Sequence, residues 1–272
     1  MLDALAALAK GLLYGTLLSA SGAPLAALLL RPSAAVREYA LRLMRIAAAI
    51  TMALTVVMAA LLFLRLGGAF DQPTLGAVFS SGPGAAFLLQ LAGAAFLLTP
   101  TDDDAHSWRL MGALIMTASV VFNGHAAALS PAAGIVAMAH VTAIAWWVGS
   151  LWLLRRACSG ADTDEIVRLV NRFSRLAVRV VAALIAAGIV LIVALVDFTS
   201  SVWLTDYVRL LVLKLFFVAL VLALAAYNKF QLTPRLPREI ATLRRSITAE
   251  LAVIACVLMT TAVLTSYFSP ES

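Results

Sequence analysis

The chain has 272 residues, of which 63% are hydrophobic and 12% charged, and its mean hydropathy is +0.99. A water-soluble domain of this length does not tolerate so much apolar surface, so a soluble globular protein is excluded. Twenty Lys and Arg residues against fourteen Asp and Glu give a formal net charge of +6. Because the basic residues cluster at the ends of apolar segments, this charge indicates membrane topology, and no nucleic-acid partner is expected.

The apolar segment at the start of the chain superficially resembles a signal peptide, with small residues at positions 19–23. Cleavage there would leave the arginine-rich segment 31–45 outside the cell, against the positive-inside tendency. We therefore expect a true membrane span. The two cysteines, Cys158 and Cys256, have neither CxxC nor zinc-type spacing, and no disulfide framework is expected.

Eight stretches approach the roughly 20 apolar residues that a membrane-spanning helix needs. In chain order the predicted spans are residues 11–30, 45–64, 79–99, 108–122, 132–154, 176–196, 207–227 and 249–268. The fourth and fifth form a helical hairpin, because turn formers at 123–125 and 130–131 interrupt a long segment without charge. The fold class is therefore all-α, a polytopic bundle of about eight transmembrane helices forming a single transmembrane domain over residues 1–272.

The basic residues also predict the orientation of this bundle. Lys and Arg are concentrated in segments 31–45, 155–179 and 229–245, which we expect on the cytoplasmic side. Segments 67–82, 123–131 and 198–206 are nearly free of them and are expected outside, together with both termini. One loop dissents, since the acidic segment 102–106 should be cytoplasmic by alternation and has no basic residue before Arg109.

Ionisable residues inside spans are costly and usually mark a site. His140 lies in span five, about two turns below its external end, and His125 lies at the external end of span four. The hairpin brings both to the same side of the membrane. Imidazole binds copper, zinc and iron well. The alternative is that both histidines only form hydrogen bonds between helices.

Two further side chains near His140 are candidates. Met138 offers a thioether suited to Cu(I). Because it lies two residues before His140, it is on a different face of the helix, and the two side chains would bind one ion only if the helix were distorted. Such a methionine also serves to fill gaps in a core. Trp147 lies seven residues after His140 on the same stripe, where its ring either stabilises a soft cation or packs between helices. Gly149 nearby allows close helix approach.

The later spans carry three more polar candidates. Lys214 lies about two turns into span seven, where it either snorkels outward or pairs with Asp197 or Asp206. Asn228 closes span seven and Glu250 opens span eight. The Glu250 carboxylate could help to release a cation, or it could be a helix-start residue favoured by the helix dipole.

At these residues the chain resembles the CopD family of copper-resistance membrane proteins, also called the PcoD family. The matching segments are NGHAA at 123–127, HVTAIAWWVG at 140–149, RFSRLA at 172–177, residues 207–214, AAYNKF at 225–230, LTP at 232–234, LRRS at 243–246 and EL at 250–251. They span about residues 123–268, and the eight-span layout extends the similarity to the whole chain. Val148 departs from the family, which often has a second glycine there.

The resemblance implies an inner-membrane protein that moves copper ions from periplasm to cytoplasm with a separate periplasmic copper carrier of the CopC type. It places His125, His140 and Trp147 in the periplasmic half, and Lys214, Asn228 and Glu250 along the later helices. The sequence contains no phosphate-binding loop and no Asp-Lys-Thr-Gly segment, so we expect a permease rather than an ATP-driven pump or an enzyme. Weak, exchangeable ligands suit such transit.

Two other functions stay open on the sequence alone. The first is a membrane cytochrome with His125 and His140 as axial haem ligands. The second is a copper-delivery or assembly factor that keeps the external ligands but needs no continuous polar path to Asn228 and Glu250. The oligomeric state does not follow from the sequence.

Overall fold

A computed structural model describes residues 2–66, 68, 72–99, 106–122, 130–195 and 206–267. Over these residues the chain is helical and contains no β-strand. The α-helices are α1 (Leu2–Leu30), α2 (Ala34–Arg65), α3 (Gln72–Ser80), α4 (Gly82–Leu98), α5 (His106–Phe122), α6 (Pro131–Ala157), α7 (Thr163–Leu195), α8 (Asp206–Tyr227) and α9 (Ile240–Tyr267). The predicted all-α polytopic bundle is confirmed.

In the described part of the chain, six helices are long and apolar enough to cross a membrane, namely α1, α2, α6, α7, α8 with its following turns, and α9. The pair α3 and α4 counts as a seventh if taken together, but a 74° bend separates them, so the predicted third span is not one straight helix. Ser81 stabilises this bend, because its hydroxyl accepts a hydrogen bond from the Gly84 amide at 3.1 Å and caps α4. Helix α5, which contains the predicted fourth span, has 17 residues. The count of eight spans therefore stays a prediction.

Helix α1 lies at the centre of the bundle and packs against α2, α5, α6 and α9. Its crossing with α6 depends on two glycines. A Cβ added at Gly22 would collide with the Ala145 carbonyl oxygen, and one added at Gly149 would collide with the Gly22 carbonyl oxygen. The two backbones are therefore in direct contact, which is the close approach expected at Gly149.

Helices α7 and α8 lie at the periphery. Helix α7 packs mainly on α6 and α8 mainly on α9, and the two contact each other little over the residues described. Both expose large apolar side chains, among them Val193 at 65% and Phe216 at 61%. Exposed apolar faces of this size fit a lipid environment, and they leave a cleft between α7 and α8.

The arginine-rich loops meet at one end of the bundle, here called the arginine-rich end. Arg168 donates to the Arg31 carbonyl oxygen at 3.0 Å, and Arg244 donates to the Ser159 hydroxyl at 3.4 Å. His106, at the start of α5, lines a pocket with Arg31. Helix α5 therefore also begins at this end. This is the side on which the alternation of basic loops places the start of the fourth span, although the preceding loop is acidic.

Candidate functional site

Three of the predicted site residues meet inside the bundle. The Trp147 indole Nε1 donates to Glu250 Oε1 at 2.8 Å, and Asn228 Nδ2 donates to Glu250 Oε2 at 3.0 Å. Glu250 is 1% exposed and Trp147 is 5% exposed. Each carboxylate oxygen thus has one N–H donor, and the group joins α6, α9 and the end of α8.

The lengths of the helices explain why these residues share one depth. Trp147 precedes the end of α6 by ten residues, and Glu250 follows the start of α9 by ten residues. At 1.5 Å per residue, both lie roughly 15 Å along their helices from the arginine-rich end. The interpretation of Glu250 as a helix-start residue is therefore wrong, because α9 begins at Ile240. Hydropathy marked only the apolar part of a helix that continues through Arg244 and Arg245.

A change of helix type presents Asn228 to Glu250. Helix α8 ends at Tyr227, and residues Asn228–Leu232 form a π-helical turn followed by a 3₁₀ turn at Thr233–Arg235. The Thr233 hydroxyl donates to the Asn228 carbonyl oxygen at 2.8 Å and holds the wider turn. Such π turns are rare in proteins, and those that occur are often found at functional sites. The Asn228 Oδ1 atom is buried and has no hydrogen-bond partner in the described part of the chain.

A cavity of about 350 Å³ lies beside these three residues. Its walls come from α6, α7, α9 and the end of α8, so it forms the floor of the cleft between α7 and α8. Val178 and Phe230 line it and are 51% and 66% exposed, so the cavity reaches the outer surface of the bundle. Glu250 is therefore a buried carboxylate beside open space rather than inside a packed core.

No ion pair neutralises Glu250 within the described ranges. Lys229 also lines the cavity, but its ammonium group lies over the Phe230 ring, 5.6 Å from the centroid. The stabilisation of the carboxylate that the structure shows comes from two neutral N–H donors. A buried carboxylate without a cationic partner is costly to ionise, and a cation in the adjoining space would stabilise its charged form.

Phe173 on α7 fixes the orientation of the tryptophans. Its ring lies 5.5 Å from Trp147 in an edge contact and 5.6 Å from Trp146 in a stacked contact. The Trp147 indole is therefore both packed by Phe173 and hydrogen-bonded to Glu250. Of the two predicted alternatives for Trp147, the structure shows packing; stabilisation of a cation by the ring stays a prediction, and the hydrogen bond to Glu250 was not predicted.

His140 lies higher in the same cleft. It is half-buried, and its Cε1 atom lies 3.9 Å from the position that a Cβ at Gly188 of α7 would take. Its Nδ1 atom is buried and has no hydrogen-bond partner among the residues that the structure describes. Lys214 of α8 lies near the imidazole. His140 and Trp147 both meet α7, as the seven-residue spacing predicts.

Met138 lies on a different face of α6. The Thr142 hydroxyl, one turn further along, donates to the Met138 carbonyl oxygen at 2.8 Å, and its oxygen lies 3.1 Å from the Thr117 hydroxyl of α5. Because residues four apart share a face, Met138 belongs to the side of α6 that meets α5, whereas His140 meets α7. The helix is continuous from Pro131 to Ala157. It therefore shows none of the distortion that a shared ion would need.

Several predicted contacts lie outside the described residues. These are His125, Asp197 and the side chain of Asp206, so neither the histidine pair nor a Lys214 ion pair can be placed. Among the residues that are placed, no three His, Cys, Asp or Glu side chains come together as a metal site.

A second buried polar group, which the sequence pattern did not reveal, lies on the other side of the bundle. Thr51 donates to the Thr16 hydroxyl at 3.0 Å, and Thr55 donates to Gln90 Oε1 at 3.0 Å. Thr51, Thr55 and Gln90 are fully buried. Gln90 could have been identified from the sequence, because it is an uncharged polar residue within a predicted span. The threonines could not, because threonine hydroxyls in spans commonly donate to a carbonyl oxygen of their own helix and so do not indicate a contact between helices. This group ties α1, α2 and α4 together.

Two family models match the chain. Residues 1–135 match the model described as copper resistance protein D-like, N-terminal domain, and residues 167–264 match the model described as copper resistance protein D. The chain belongs to the copper resistance protein D family. It is therefore a multi-pass inner-membrane protein with a role in copper resistance or homeostasis. No curated protein and no solved structure matches the chain.

The two matches divide the candidate site of this copper resistance protein D family member. His125 falls in the N-terminal match, and Lys214, Asn228 and Glu250 fall in the C-terminal match. Met138, His140 and Trp147 lie in the interval between them. The hydrogen bond from Trp147 to Glu250 thus joins the interval to the C-terminal match.

Proposed function

We propose that this protein carries copper ions across the inner membrane from periplasm to cytoplasm, along the cleft bounded by α6, α7, α8 and α9. The observation that carries the proposal is the Glu250 carboxylate. It is 1% exposed, is held by two N–H donors and lies beside a 350 Å³ cavity. An ionisable carboxylate inside an apolar cleft can bind a cation and marks its path.

The proposed path has two stages at different depths. His125 and His140 receive copper in the periplasmic half, where imidazole is a good copper ligand. Trp147 follows His140 by seven residues of helix, about 10 Å deeper. Below it the ion meets the Glu250 carboxylate and the unpartnered Asn228 Oδ1. Oxygen ligands hold copper less tightly than imidazole, so the second stage favours release.

Lys214 modulates the first stage in this proposal. When it is protonated, its ammonium group has the same sign as the ion and lies near His140. Repulsion at this position weakens the retention of copper, and an ion held too tightly cannot leave. Met138, on the α5 side of α6, is a separate thioether ligand near the entrance rather than a partner of His140.

The proposal includes an orientation and a partner. The arginine-rich end is cytoplasmic and both termini are periplasmic, in agreement with the positive-inside tendency. The chain acts as a single transmembrane domain, and a periplasmic CopC-like copper-binding protein delivers the ion to the opposite end. The proposal involves no enzymatic step.

Metal analysis and cellular uptake test the proposal together. Purified protein is analysed for copper and iron beside the His125→Ala/His140→Ala double variant, with His106→Ala at the arginine-rich end as control. We expect copper that is lost in the double variant and kept in the control. Iron in place of copper would instead support a haem-binding cytochrome.

Uptake separates transport from copper delivery. Cells that express His140→Ala at the wild-type level should accumulate copper at the rate of cells without the protein. Copper binding that depends on both histidines, with accumulation unchanged in His140→Ala, would contradict transport and support an assembly factor.

A further inference from the structure

A second pocket, of about 250 Å³, lies at the arginine-rich end and is separate from the copper cleft. It is formed by the end of α1, the start of α2 and the start of α5. Four basic side chains line it, those of Arg31, Arg37, His106 and Arg109, and no Asp or Glu appears in its described lining. The proposed copper path has a buried carboxylate and favours a cation, whereas this pocket favours an anion.

The arginines of this pocket are placed by the fold. Arg31 forms the turn between α1 and α2 with a positive φ of 50°, and its carbonyl oxygen accepts a hydrogen bond from Arg168 at 3.0 Å. Arg109, in the first turns of α5, is 6% exposed. Arg37 lies one turn into α2 and is exposed at the rim. The pocket therefore has one buried guanidinium at its wall and two at its opening.

The rest of the lining is apolar. Leu28, Leu41 and Leu110 form part of it, and Leu28 is 39% exposed on the outer surface of α1. A free inorganic anion would use the guanidinium groups but leave these leucines against water. A molecule with an anionic head and an apolar tail satisfies both parts, and basic pockets between transmembrane helices bind such headgroups.

We infer that this pocket binds an anionic phospholipid, with the headgroup phosphate between Arg31 and Arg37 at the opening and an acyl chain along Leu28 and Leu41. Guanidinium groups bind phosphate oxygens with paired N–H donors, which suits this arrangement. The lipid ties together the ends of α1, α2 and α5 at the membrane surface. Its site does not include any residue of the proposed copper path.

Native mass spectrometry of delipidated protein in detergent tests the inference. The probes are phosphatidylglycerol, phosphatidylcholine with the same acyl chains, and inorganic phosphate. The pocket variant is Arg31→Gln/Arg37→Gln, which leaves the buried Arg109 in place. The control is Arg175→Gln/Arg238→Gln, which removes the same charge from two exposed positions outside the pocket.

We expect phosphatidylglycerol to bind more tightly than phosphatidylcholine, with a loss of roughly fivefold in affinity for each pocket arginine replaced and little change in the control. Equal losses in both variants would show attraction to overall charge and would overturn the site. Displacement by inorganic phosphate at matched concentration would overturn the assignment to a lipid. Binding that arises only in Asp102→Asn/Asp103→Asn/Asp104→Asn protein would show that the chain's own acidic segment fills the pocket.

Discussion

Trp147 and Glu250 are 103 positions apart in the sequence, and a hydrogen bond of 2.8 Å from the indole nitrogen to the carboxylate joins them inside the bundle. Asn228 holds the second carboxylate oxygen at 3.0 Å. The carboxylate is therefore fixed at the wall of the cavity rather than free to turn away. A fixed charge of this kind is able to guide an ion without binding it permanently.

The neighbouring tryptophans give a matched test of this hydrogen bond. Trp147→Phe leaves one buried carboxylate oxygen without its donor, at a cost of about 1–3 kcal/mol. Trp146 is 3% exposed and stacks on the same Phe173, but its Nε1 has no hydrogen-bond partner in the described ranges. Thermal unfolding in detergent should therefore show a lower Tm for Trp147→Phe than for Trp146→Phe. Equal Tm values would mean that the tryptophans act by packing alone.

The crossing of α1 and α6 predicts a large effect at Gly149. A Cβ there collides with the backbone of Gly22, so the helices must separate, and overpacking of this kind costs about 1–3 kcal/mol or more. Gly15→Ala on α1 is the control, because its Cβ would lie 3.9 Å from Leu258 Cδ1, an ordinary contact. We expect a clear fall in Tm for Gly149→Ala and almost none for Gly15→Ala. A wild-type Tm in Gly149→Ala would contradict the close crossing.

Cys158, just beyond the end of α6, predicts a specific pH dependence. Burial raises the pKa of its thiol to about 11, although the nearby Arg244 acts in the opposite direction. Because the thiolate is the reactive form, maleimide labelling in a Cys256→Ser background should be slow near neutral pH. The rate should rise about tenfold per pH unit up to about pH 11. A plateau below pH 9 would show that the thiol is not buried as described.

The sequence predicted the parts of the site that depend on periodicity and resemblance. The spacing from His140 to Trp147 placed both on one stripe of α6, and both meet α7. The resemblance selected Trp147, Asn228 and Glu250, which the structure brings into contact. The contact itself was not predictable, because hydrogen bonds between residues so far apart depend on how α6, α8 and α9 pack.

Other features escaped the sequence for physical reasons. The apolar pattern marks the part of a helix in the membrane, so it could not show that α9 begins ten residues before Glu250. The π-helical turn at Asn228 has no sequence signature of its own. The bend at Ser81 was hidden because apolar residues continue on both sides of it, although the Ser-Gly-Pro sequence is typical of a helix start.

Copper uptake into proteoliposomes tests the central claim most directly, with wild-type protein beside Glu250→Gln. Glutamine keeps the size of the side chain and can still accept from Trp147, while the Asn228 amide can turn its Oδ1 toward the new NH₂ group. The variant thus removes the charge with little change in packing. Glu239→Gln, at the start of the same helical region and outside the cavity lining, is the control.

The proposed pathway predicts that Glu250→Gln lowers the initial rate of copper uptake at least about tenfold, since the cation then crosses an apolar cleft without a counter-charge. Glu239→Gln should transport like wild type, and both variants should keep the wild-type Tm. Wild-type uptake by a folded Glu250→Gln protein would contradict the claim that copper passes Glu250.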